Sequence, residues 1–122
     1  MGYEICWEPQ GGVLKRFSGQ ITSCDIVAAD LEVEADSRYK GLRYVLNDFL
    51  GVDDFSYDST DSNFMSALYC ATSLSNPGIK VAFVTTSSDI GAFVNQYDDS
   101  PRNDYPAETF ASLAEARQWT ES

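Results

Sequence analysis

Ile79-Lys80-Val81-Ala82-Phe83-Val84-Thr85, running straight into Thr86-Ser87-Ser88-Asp89, is the stretch that decides the fold. Its first part is a nearly unbroken series of β-branched, aromatic and small apolar residues, the composition of a strand covered on both faces. The Ser-Ser-Asp that follows is helix-capping chemistry, and Ile90, Phe93, Val94 and Tyr97 then recur on one helical face. A strand feeding directly into a capped helix is the repeating unit of an α/β sheet.

Reading outward, the same unit recurs on both sides. Downstream, Asp98 to Pro106 reads as a loop and Ala107 to Phe110 as a short strand. Ser112-x-x-Glu115 is a capping box that opens a last helix, with Leu113, Ala116 and Trp119 facing inward. Upstream, Phe64, Ala67, Leu68, Ala71 and Leu74 fall at helical spacing over about 62–74, and Asn76-Pro77-Gly78 stops that helix. Leu42 to Phe49 reads as a strand with apolar residues on both faces, and Gly51 to Asp61 as a flexible polar stretch. Thr22-Ser23 offers a cap ahead of Asp25 for a helix from about Ser23 to Ser37. Ile26, Val27, Ala29, Leu31, Val33 and Ala35 form its apolar stripe, while Asp30, Glu32, Glu34 and Asp36 read as a solvated face. Tyr39-Lys40-Gly41 supplies the stop. The first eighteen residues are a β-hairpin: Tyr3 to Trp7 alternates, Pro9-Gln10-Gly11-Gly12 turns, Val13 to Phe17 returns, and Gly19 closes it.

The expected order is therefore β-β-α-β-α-β-α-β-α, an α/β mixed sheet in which a hairpin precedes βα units and the later strands are mostly parallel. A length of 122 residues suits one domain. Lys and Arg number 8 against 19 Asp and Glu, giving a net charge of −11, which argues against nucleic acid or an anionic membrane as partner. The absence of histidine removes Ser-His-Asp and Cys-His catalysis. Cys6, Cys24 and Cys70 are odd in number and far apart, which fits neither a disulfide framework nor a zinc site; Cys6 and Cys70 read as small buried apolar residues, Cys24 as a thiol at a helix start. No apolar run spans a bilayer and the N-terminus lacks signal-peptide character, so a cytoplasmic location is expected. No cofactor is implied, and the oligomeric state stays open, a dimer included.

Two stretches carry a family resemblance. Arg38-Tyr39-Lys40-Gly41-Leu42-Arg43-Tyr44-Val45-Leu46-Asn47-Asp48 is a helix end passing into a central strand with an aspartate at its exit. Phe110-Ala111-Ser112-Leu113-Ala114-Glu115-Ala116-Arg117-Gln118-Trp119 is a short strand passing into a C-terminal helix. With the element order, they resemble the STAS family, the sulfate-transporter and anti-sigma-factor-antagonist domains, and in particular its small stand-alone bacterial members, which are similar to CRAL-TRIO lipid-binding domains. The resemblance implies a regulatory module that binds a protein partner. It also implies a phosphoacceptor after the central strand, where Asp58-Ser59-Thr60 matches and Ser59 would take the phosphate. The interval from Asp48 is about two residues longer than the family's, and Asp61 stands where glycine is common.

In open α/β sheets, binding sites gather outside the carboxyl ends of the strands. That rule selects Asp48, Phe55, Tyr57, Asp58, Ser59, Thr60, Thr86, Ser88 and Asp89 as the surface for a partner or ligand. One alternative is a carrier of a small apolar or lipid-like molecule in a crevice walled by Phe49, Phe55, Tyr57 and Phe64. Another is a carboxylate-based hydrolase using Asp48 and Asp89. Asp53, Asp54, Asp58 and Asp61 lack the spacing of a calcium loop, so no metal site is assigned; Asp98, Asp99 and Asp104 read as a second solvated acidic loop.

Overall fold

A computed structural model of the chain describes residues 2–56, 79–92 and 107–121. Five strands form one sheet in the order β1 (Tyr3–Glu8), β2 (Gly12–Thr22), β3 (Tyr44–Ser56), β4 (Lys80–Val84) and β5 (Ala107–Phe110). β1 and β2 are antiparallel, and every later pairing is parallel, so β2 to β5 all finish at one rim and begin at one base. The described helices are α1 (Ser23–Ala35), a 3-10 turn (Ser37–Gly41) and α2 (Leu113–Glu121), and residues 88–92 are also helical. This is the α/β mixed sheet expected from the sequence. The expected helix at 62–74, its Asn76-Pro77-Gly78 stop, Cys70, the continuation from Phe93 to Tyr97 and the loop 98–106 with Asp98, Asp99 and Asp104 lie outside the described residues.

Alternation along the strands divides the interior in two. One cluster, on the α1 side, unites Val13, Phe17 and Ile21 of β2 with Val45 and Phe49 of β3, Val81 and Phe83 of β4, and Ile26, Ala29 and Val33 of α1. The other, on the α2 side, unites Leu14, Tyr44, Leu46, Ala82, Val84 and Ala116, with Leu113, Trp119 and Phe110 against it. β3 and β4 are thus covered on both faces, which is why their sequences read as continuous apolar runs. Phe17 and Phe49 stack with ring centroids 4.7 Å apart and planes 12° from parallel.

Five sequence expectations need correction. Gly19 does not close the hairpin: β2 continues to Thr22, and Gly19 takes φ +70 beside an irregularity in the β2–β3 ladder. That left-handed backbone is cheap only for glycine. The polar stretch after Phe49 is not a loop from Gly51: β3 runs on to Ser56, pairing Ser18–Thr22 with Gly51–Ser56. Partner hydrogen bonds override the poor β-propensity of Gly51, Asp53 and Asp54. The acidic face of α1 is not wholly solvated either. Asp30 is 4% exposed and forms an ion pair with Lys15 of β2, itself 2% exposed, while Leu31, assigned to the apolar stripe, is 46% exposed. α1 also ends at Ala35, where the backbone turns extended at Asp36.

Lys15 lies opposite Asn47 in the ladder, and the Asn47 amide donates to the Ala82 carbonyl at 3.2 Å. A polar seam therefore crosses β2, β3 and β4 under α1. Desolvating the two ions is tolerable because each neutralises the other, although the second oxygen of Asp30 is buried without a hydrogen-bond partner.

Candidate functional site

The rim is built where β3 and β4 run side by side and β4 stops. Asp48 is the cross-strand partner of Val84, the last residue of β4, so the chain from Thr85 onward emerges beside it. The Asp48 carboxylate is nearly buried, accepts the Leu50 N–H at 2.9 Å and lies 3.7 Å from the Arg16 guanidinium. These contacts fix the exit of β3 and leave that carboxylate committed to structure.

Downstream of β4 the backbone is tied down at each step. The Thr85 N–H donates to the Phe110 carbonyl at 3.0 Å. The Thr85 hydroxyl accepts the Ser87 N–H at 3.0 Å. The Ser87 hydroxyl accepts the Ile90 N–H at 3.4 Å, its carbonyl accepts the Gly91 N–H at 3.0 Å, and Ile90 is buried. Ser87 is thus the helix cap that the Ser-Ser-Asp sequence promised. Thr86, Ser88 and Asp89 are left exposed, with no side-chain hydrogen bond among the described residues. Three polar side chains held on a tied-down turn, with no hydrogen bond among the described residues, suit recognition.

The other expected site residues divide differently. Phe55 stands opposite Ile21 and packs, half-buried, against the α1-side cluster. It lies seven residues beyond Asp48, on the order of 20 Å along an extended chain, so the structure does not gather it with Asp48 and Asp89. Phe49 is 3% exposed and belongs to the core, which corrects its place as a crevice wall. Tyr57, Asp58, Ser59, Thr60, Asp61 and Phe64 lie outside the described residues. Asp89 is exposed, whereas Asp48 is held by Leu50 and Arg16, so the two carboxylates share the rim but not an environment. Cys6 is half-buried and not fully inside; its thiol donates to Glu4 at 3.4 Å, a contact that pushes its pKa up and blunts its reactivity. The Cys24 side chain is outside the described set.

The described hollow, of about 280 Å³, opens at the opposite end of the sheet, between the hairpin turn and the 3-10 turn, and Trp7, Arg38 and Leu42 line it. Sequence reasoning missed it, because it forms between residues more than thirty positions apart. Arg38 stacks over the Trp7 ring at 4.4 Å while holding Asp36, whose carboxyl it draws down to about 2.

No family model matches the sequence, and neither does any curated protein. Among solved structures, the chain is similar to the Bacillus cell fate determinant SpoIIAA in its phosphorylated form. The alignment covers 96% of this chain and 97% of that one, with a TM-score of 0.62 and 11% sequence identity. The fold is SpoIIAA-like. The STAS-like architecture inferred from element order is therefore the architecture observed, and SpoIIAA matches it over nearly the whole chain. Among the described residues, no helix is long and apolar enough to cross a membrane.

Proposed function

We propose that this chain is a non-enzymatic, single-domain regulatory module of the cytoplasm that binds a protein partner through the rim at the strand ends. The observation that carries the reading is the contrast at that rim. Thr85, Ser87 and Asp48 are engaged in holding the backbone, while Thr86, Ser88 and Asp89 are exposed with no side-chain hydrogen bond among the described residues. The SpoIIAA-like fold supports a regulatory role. The net charge of −11 favours a basic partner whose association is steered at low ionic strength. Ser59 is the proposed phosphoacceptor, in keeping with the phosphorylated state of the SpoIIAA structure. A phosphate there would add further negative charge to a chain already rich in it.

Affinity capture with the full chain, at low and at raised salt, tests the reading when run beside a variant carrying Thr86→Lys, Ser88→Lys and Asp89→Lys. A protein retained at low salt by the native chain and lost with the variant supports it. Equal retention by both moves the interface elsewhere, and no retention by either removes the proposal. Phosphopeptide mapping after expression in a bacterial host checks Ser59, and an unmodified Ser59 under partner-binding conditions would remove its assigned role.

A further inference from the structure

β1 closes one side of the sheet, and among the described residues nothing pairs with its outer side. Among the described residues its ladder is with β2 alone, and the contacts of its side chains are Tyr3 with the Phe17 ring, Trp7 with Arg38, Cys6 with Glu4, and Glu8 with Tyr44 and Arg117. The register decides which backbone groups face outward. Ser18 donates its N–H to the Gly2 carbonyl at 2.9 Å, and β1 and β2 pair so that Tyr3 faces Phe17 and Glu4 faces Arg16. Hydrogen-bonded and non-bonded pairs alternate in an antiparallel ladder, so Gly2, Glu4, Cys6 and Glu8 point their backbone groups at β2. Tyr3, Ile5 and Trp7 turn theirs outward. Their side chains pack half-buried against the α1-side cluster, which holds that three-residue edge in place, uncovered among the described residues.

Acids flank the edge, together with Arg16, which stands across from Glu4, and Arg38, which stacks on Trp7. Glu4 is exposed on β1 and Glu32 is exposed on α1. Burial pushes the Tyr3 hydroxyl up, and Glu32 and Asp25 of α1, which packs against β1, push it further. Of the cations nearby, Lys15 pairs with Asp30, Arg16 with Asp48, Arg38 with Asp36 and Arg117 with Glu8, while Arg43 lies over Gly11 in the hairpin turn. An exposed edge bearing acids with no counter-ion among the described residues discourages a second copy, since each copy carries −11. The same acids attract a cationic chain.

We infer that the outer edge of β1 is a docking strand for an extended, basic segment of a partner protein, added to the sheet as a sixth strand beside Tyr3, Ile5 and Trp7. The incoming chain would alternate apolar and basic residues. Apolar side chains would lie beside Tyr3, Ile5 and Trp7, and basic ones beside Glu4. Backbone hydrogen bonds supply binding strength, and the alternate side chains supply choice of partner. This surface lies apart from the rim and stands whether or not the rim binds anything.

Amide hydrogen exchange of the full chain, followed by NMR at low salt, reads the edge directly. The probe is a heptapeptide alternating lysine and valine, compared with one alternating glutamate and valine. The lysine peptide is expected to slow exchange at the Tyr3, Ile5 and Trp7 amides about tenfold or more at saturation. The glutamate peptide should leave them unchanged, and N-methylation of alternate peptide amides should abolish the effect. Failure of the lysine peptide to bind, binding without protection of those three amides, or equal protection by the N-methylated peptide overturns the inference. Protection that rises with protein concentration alone would also overturn it, by making a second copy the occupant.

Discussion

The base and the rim of the sheet are built from similar polar residues put to opposite uses. At the base, the Tyr44 ring lies over Gly12 and its hydroxyl donates to Glu8 at 2.5 Å, while Arg117 of α2 grips the same carboxylate with bonds of 3.0 and 2.7 Å. Lys80, at the start of β4, donates to the Trp119 carbonyl at 3.1 Å and sits against that ring. First strand, central strand and last helix are joined there by charge and aromatic contact. At the rim, the side chains of Thr86, Ser88 and Asp89 join nothing among the described residues. Polar residues locked to one another specify a structure, and polar residues held out by a rigid turn are available to something else.

The comparison is probed most severely beneath it, at Lys15 and Asp30. Lys15→Met leaves a buried carboxylate without its counter-ion and should cost about 3–5 kcal/mol in urea unfolding. The double variant Lys15→Met/Asp30→Leu should recover most of that loss, because the desolvation penalty goes with the pair. A single variant as stable as the native chain would show that the pair is not sequestered.

Gly12→Ala tests the base. A Cβ there would overlap the Tyr44 ring, and displacing that ring should cost roughly 1–3 kcal/mol and loosen the Glu8 contact with it. Titration sharpens the same point with defined signs. Arg117, followed by Tyr44, holds the Glu8 carboxyl below its usual 4.5. Its contribution is therefore present above that value and lost as pH falls through the lower folded one. Burial and Glu8 push the Tyr44 hydroxyl from 10.0 up to about 12. Here the folded state holds its proton longer, so stability is full below pH 10 and declines between 10 and about 12 as the unfolded chain ionises first. Chemical denaturation across both ranges, with Glu8→Gln and Tyr44→Phe as references, checks the pair. Each variant should remove the slope assigned to its own residue.

Much of this architecture was legible in the sequence because it rests on local rules. Half of the Ser112–Glu115 capping box forms as read, with the Glu115 N–H donating to the Ser112 hydroxyl at 3.3 Å, while the Glu115 carboxylate accepts that hydroxyl at 3.0 Å and not the Ser112 N–H. The Thr22 N–H likewise donates to Asp25 at 2.9 Å at the start of α1. β4 and β5 declared themselves by β-branched and aromatic content. What escaped depends on partners distant in the chain. Asp53 and Asp54 are strand residues only because β2 reaches past Gly19 to pair with them. Asp30 is buried only because Lys15, fifteen residues earlier, meets it. Glu8 and Arg117 are separated by 109 positions, which no periodicity connects. At the rim, the strand-end rule found Asp48, Thr86, Ser88 and Asp89 together, but could not foresee that the longer β3 carries Phe55 away from them.

The smallest expected effect on stability is the most informative about function. Thr86→Lys, Ser88→Lys and Asp89→Lys alter exposed side chains with no internal hydrogen bond, so each should shift unfolding by no more than about 0.5 kcal/mol. Ser87→Ala, one position inside the same turn, removes the cap on Ile90 and should cost about 1 kcal/mol. Urea unfolding of the four variants orders them before any partner is in hand. If Ser87→Ala proved as silent as its neighbours, the turn would not be rigid. The distinction between residues that hold the rim and residues that present it would then lose its physical basis.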